Sequence, residues 1–165
     1  MTEFEEPAEE SIEMVKVVFR FFSDLFDKEM IETMWCMPLD AELGLYQIDN
    51  IPFYAPLMAA DDVIFAEKDD SEGGMLAFKK VVESSGNSTI HIVRMEESNS
   101  IESILKPVFD LGCNFEGINE NYLALDVPSD INYGPVRNIL DQLDQDDVIG
   151  FAESCLSEIH QKQID

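Results

Sequence analysis

Two histidines, three cysteines and several paired acids are the residues of this chain whose types could do chemistry beyond packing. His91 falls inside "STIHIVRM", sharing an alternate-residue face with Thr89 and Val93, and His160 lies near the C-terminal end. Both read as satisfied or simply exposed side chains. No Ser, Cys or Thr has a visible base partner, and no G-x-S-x-G segment marks a nucleophile. Cys36, Cys113 and Cys155 are an odd set without C-x-x-C spacing, and no H-x-x-H pair accompanies them, so a zinc site is not indicated. Small buried thiols in a reducing compartment fit better. Asp61 and Asp62 could share acid–base work only if burial raised one pKa; after Ala59-Ala60 they read as turn residues. "KDDSEGG" carries carboxylates and glycines but lacks the alternating ligands and terminal Glu of a calcium loop. "EGG" likewise lacks the spacing and the Lys-Ser/Thr ending of a phosphate loop. The expectation is a protein that is not an enzyme and holds no cofactor or metal.

Charge is the larger signal. The 165 residues contain 35 Asp and Glu against 10 Lys and Arg, a formal charge of −25. Self-repulsion of that size opposes compaction, and it disfavours nucleic acid and anionic membranes as partners. Hydrophobic residues make up 45%, enough for a real core. No apolar run approaches the length that spans a bilayer. The N-terminal "MTEFEEPAEESIEM" is acidic where a targeting signal would be basic and apolar, which suggests a cytoplasmic protein.

The elements divide the chain into an acidic flexible tail over 1–14, a β-rich lobe over 15–84 and an α+β lobe over 85–165, packed as one unit. "VKVVFRFF" reads as a strand. "EMIETMWCMPL" is ambiguous: Met30, Met34 and Met37 have helical spacing, yet "GLYQIDNIPF" beyond it reads as strand. "DDVIFAEK" and "GGMLAFKKVVE" are further strands. Gly86 and Asn87 suit a tight antiparallel connection into "STIHIVRM". A small antiparallel sheet or half-barrel is the economical outcome. In the second lobe Ser100 and Gly112 bracket a helix, with Pro107 expected to kink it. "CNFEGIN" and "NYLALDVP" are strands, "GPVRNILDQL" is a helix, and "VIGFAE" closes the set. That is the ferredoxin-like βαββαβ order.

Within "DNIPFYAPLMAADDV", Pro52 and Pro56 fix extended or turn geometry, and Ile51, Phe53, Tyr54 and Leu57 are large enough to fill a core. The segment reads as scaffold. Asp141, Asp144, Asp146 and Asp147 gather at the end of the second helix, where carboxylates oppose the macrodipole. They form one candidate partner-binding patch; Asp61, Asp62, Asp69, Asp70 and Glu72 form a second.

These segments resemble the bacterial family catalogued as domain of unknown function 4265. The resemblance runs through Trp35, through Tyr46 to Phe53, and through Asp62-Val63. It continues through Val82 to Thr89, Leu111 to Glu116 and Asp126 to Pro128. Ala60, where Gly is common, and Pro107 depart from it. The resemblance implies no catalytic residues, and small families of this kind look like companions of bacterial toxins. The expected function is therefore an immunity protein, monomeric when free, whose acids occupy the phosphate-binding groove of a basic toxin acting on nucleic acid. The alternative is a small-molecule-binding or regulatory domain that dimerises through its sheets.

Overall fold

The computed structural model describes residues 12–24 and 26–165, so most of the predicted acidic tail lies outside the described residues. The first lobe is built from β1 (Val15–Ser23), β2 (Lys28–Asp40), β3 (Leu45–Ile48), β4 (Val63–Asp69) and β5 (Met75–Glu83). Neighbours pair antiparallel in chain order, and Val17 and Val18 of β1 then pair parallel with Leu76 and Ala77 of β5. The result is a closed barrel, which corrects the open, wholly antiparallel half-barrel expected from sequence. Bulges at Pro38/Asp40 and at two places along β4 and β5 supply the bending that brings the outer strands together. Val17, Phe19, Met34, Cys36, Tyr46, Ile48 and Ile64 fill the interior, with Phe19 stacked on Phe78 at 5.0 Å. The ambiguous methionine segment is β2, a strand of 13 residues.

The second lobe is a four-stranded sheet in the order β7 (Asn114–Asn119), β8 (Tyr122–Val127), β6 (Ser88–Arg94), β9 (Ile149–Cys155). All of its pairings are antiparallel. Helices α1 (Ile101–Ile104), α2 (Lys106–Asp110), α3 (Tyr133–Gln145) and α4 (Glu158–Ile164) complete the lobe. Ser100 caps α1 by accepting from Ser103 N, and the helical path breaks at Leu105, two residues before Pro107. Asn132 caps α3, which buries Tyr133, Val136 and Leu140. Strand alternation puts Ile90, Ile92, Leu123, Leu125 and Val127 into this helix-side core. The molecule is thus α+β. None of its described helices is long and apolar enough to cross a membrane.

Gly86 and Asn87 do not make the expected hairpin, because β5 and β6 belong to different sheets. Asn87 is buried and works as a tie instead. Its amide donates to Ala60 O (3.0 Å) and Asp61 Oδ2 (3.3 Å), and its carbonyl oxygen accepts from Ser129 N (2.9 Å).

Candidate functional site

The face of the second sheet opposite the helices presents Thr89, His91, Tyr122 and Asp126. Across it runs the segment 49–62 that joins β3 to β4, and three side chains of the sheet hold that strap by its carbonyls. Thr89 Oγ1 donates to Met58 O (3.1 Å), His91 Nε2 to Pro52 O (2.9 Å) and the Tyr122 hydroxyl to Phe53 O (2.5 Å). From the barrel, Glu32 accepts from Phe53 N (2.7 Å) and Tyr54 N (2.9 Å). Burial raises the pKa of Glu32, and those amides partly counter the rise. Extended backbone needs such partners wherever it leaves a sheet.

Beside the strap the two lobes do not close. They leave a cleft of about 640 Å³, inside the roughly 300–1,000 Å³ range of small-molecule sites. Phe21, Phe22, Phe26, Tyr54, His91 and Tyr122 supply most of its aromatic lining. Tyr54 stacks on Tyr122 with centroids 5.5 Å apart and meets Phe26 edge-on at 6.4 Å and 73°. Phe22, Phe26 and Tyr54 are all exposed. Large aromatics gathered in an open concavity are unusual unless something covers them. Since Pro52 O can only accept, Nε2 of His91 carries its hydrogen. Burial lowers the pKa of the ring, so it is neutral at pH 7 and Nδ1 is an acceptor.

A second pair has the outline of a catalytic dyad. Ser88 Oγ lies 2.6 Å from His160 Nδ1, and His160 Nε2 donates to Pro128 O and Ile131 O, each at 3.1 Å. Both residues are 0% exposed, so no substrate reaches them, and Ser88 Oγ also accepts from Ser157 N. The pair joins α4 to the sheet. Cys36, Cys113 and Cys155 are free thiols whose pKa values burial pushes up to about 12, 12 and 11, which keeps them unreactive.

The nine acids singled out from sequence do not converge. Asp62 is buried at 2% exposure; its oxygens accept from Ala59 N (2.9 Å) and Ser85 N (2.8 Å), closing the end of the strap. That geometry is a clamp and withdraws Asp62 from any surface contact. Asp61 beside it is exposed. On the barrel, Asp69 binds Lys79 (2.8 Å) and Ser71, and Lys79 first among these holds its carboxyl below the usual range. Glu72 pairs with Arg20 (2.8 Å), and Asp70 is exposed at the start of the turn between β4 and β5. On the second lobe, Asp141 pairs with Arg137 (3.0 Å) and Asp146 accepts from Gln142 (3.1 Å). Asp144 and Asp147 are exposed at the end of α3, Asp147 with φ 57°.

Sequence reasoning missed the cleft. It assigned Tyr54 and Leu57 to the core, whereas Tyr54 lines the cleft and Leu57 is 78% exposed. A signal was present in "FRFFSDLF": Phe19, Phe21 and Phe22 occupy both faces of one strand, and a single barrel interior cannot take both.

Residues 32–151 match the family described as Domain of unknown function (DUF4265), and the chain belongs to that family. A crystal structure of a hypothetical protein from Neisseria gonorrhoeae is similar in fold, with a TM-score of 0.76 and 24% identity. The likeness covers 88% of this chain and 96% of that one. No curated protein matches the chain.

Proposed function

We propose that this member of the DUF4265 family is a non-enzymatic binding module that takes a small apolar ligand between its barrel and its sheet. The observation that carries this reading is the aromatic cleft beside the strap. The strand order β7-β8-β6-β9 with helical crossovers supports reading the second lobe as ferredoxin-like. The test is a ligand-observed NMR screen of aromatic fragments against the wild type and Gly150→Trp. A Cβ at Gly150 meets nothing within 4 Å, so the indole can occupy the cleft without disturbing the core. Fragments that bind the wild type and lose affinity in the variant support the reading. A screen without hits, or hits indifferent to the variant, refutes it.

A second reading keeps the immunity function. It is supported by Asp144, Asp146 and Asp147, exposed around the end of a helix with no basic residue in its last turn. Acids at that place cost local stability, and a basic partner would turn the cost into attraction. Replacing the three with Asn should slow association with a cognate basic toxin most at low salt; an unchanged association rate counts against this surface.

A further inference from the structure

We infer that the ligand of the cleft is a small organic cation, an ammonium group carried on an apolar body. The inference rests on the cleft being a ligand site, and four observations add the charge. First, among the described residues no Lys or Arg lines the cleft. Lys28 stands outside the lining, 6.0 Å from the Phe26 ring centroid, itself a weak version of the contact proposed, and Arg137 stands 5.9 Å from the ring of Phe151. A phosphate or carboxylate entering here would meet no counter-charge.

Second, the polar groups that are not plain hydroxyls accept. His91 spends its Nε2 hydrogen on Pro52 O and keeps a lone pair on Nδ1. Tyr122 spends its hydrogen on Phe53 O and keeps its oxygen lone pairs. Asp24 adds a carboxylate among the lining residues. The hydroxyls of Ser23, Tyr54 and Ser154 serve either role.

Third, the rings stand in different planes. Phe26 and Tyr54 meet at 73°, and Tyr54 lies almost parallel to Tyr122 at 15°. An aromatic face that a neighbouring ring leaves uncovered attracts a cation through its quadrupole, most strongly where water is excluded. Fourth, the chain carries a formal charge of −25, which concentrates small cations around it and repels anions. A neutral apolar ligand would use the rings for contact alone and leave the acceptors and the charge without effect.

The experiment titrates ¹⁵N-labelled full chain with three probes of similar shape: phenethylammonium, its neutral carbon analogue propylbenzene, and 3-phenylpropionate. Each is run at low and high salt on the wild type, Gly150→Trp and Tyr54→Leu, with thermal unfolding confirming that the variants fold. The expected result is an ammonium affinity about tenfold above that of the neutral analogue, with the anion weakest. Tyr54→Leu keeps apolar bulk but removes a ring face. It should therefore weaken the ammonium roughly five- to tenfold and the neutral probe less than about twofold.

Equal affinity for cation and neutral analogue overturns the charge inference while leaving the cleft as a ligand site. Ammonium binding that neither Gly150→Trp nor Tyr54→Leu weakens places the cation on the general acidic surface and also overturns it. No binding by any probe overturns the inference and the ligand-site reading together. A Lys- or Arg-bearing peptide that binds far tighter than the free ammonium, and is blocked by Gly150→Trp, overturns the small-molecule source in favour of a partner's side chain.

Discussion

The two faces of the second sheet are covered in different ways. The helix face is closed by apolar contact: Ile90, Ile92, Leu123, Leu125, Val136 and Leu140 form one dry cluster. The strap face is closed by point hydrogen bonds to the strap backbone, while Ala55 and Met58 of the strap pack into the barrel core, and where these contacts stop the cleft begins. Apolar packing is non-directional and fills every gap it can reach. Hydrogen bonds fix a segment at points and leave the space between them open. Within this sheet, apolar packing is therefore densest on the helix face, and the space for a ligand lies on the other.

The largest expected effect lies on the helix face. Leu125→Ala should cost about 2–5 kcal/mol in chemical denaturation, the usual range for emptying a packed leucine site. On the strap face Glu32→Ala, which strips the acceptor from two amides, should cost about 1.5–3 kcal/mol and speed hydrogen exchange at Phe53 and Tyr54. Tyr122→Phe, losing one bond to the strap, should cost only about 1 kcal/mol. If Tyr122→Phe were as damaging as Leu125→Ala, the division between the faces would fail.

Asp126 sharpens the comparison from the other side. Its Oδ1 is buried without a hydrogen-bond partner among the described residues, and desolvation raises its pKa from 3.8 to about 6. The folded state thus holds a proton that the unfolded chain releases at lower pH. Stability from this group is full below about pH 4 and lost as the pH rises through about 6. Asp126→Asn should therefore be about 1–3 kcal/mol more stable than the wild type at pH 8, with the difference fading towards pH 4. Denaturation of both proteins across that range checks it; a constant difference would mean that Asp126 is not charged and buried at neutral pH.

The two histidines act with the opposite sign. Desolvation lowers the pKa of His91 and of His160, so the stability they contribute is present above about 6.5 and lost as the pH falls. Their ring resonances should titrate below the ordinary value. A midpoint at or above it would contradict the burial of His160. The smallest effect belongs to Asp147, held at φ 57° past the end of α3. Asp147→Gly should gain about 0.5 kcal/mol by easing backbone strain and removing a charge from the negative helix end.

Much of the order of elements was legible, because alternation and caps are local. "STIHIVRM" and "NYLALDVP" have the parity of strands, and Ser100 and Pro107 punctuate the helical stretches as their chemistry dictates. The methionines left the segment ambiguous because a spacing of four is even. Met30 and Met34 share a face in a strand as well as in a helix, and only Met37 separates the two patterns. Barrel closure was out of reach, since Val17 and Leu76 meet through the summed bending of five strands. The cleft was illegible for a different reason. Nothing in the letters of Phe22 or Tyr54 says whether an aromatic ring is covered by the protein or left for a ligand.

The parallel junction of β1 with β5 also has a meaning in time. As the chain leaves the ribosome, β1 and β2 can pair at once, but the second edge of β1 stays bare until β5 emerges. Phe53 then waits longer, because the hydroxyl that fixes it comes from Tyr122, 69 residues further on. Such distant pairings delay closure and leave strand edges available to other chains. A mutually repelling, strongly acidic nascent chain is less prone to stick to its neighbours during that delay.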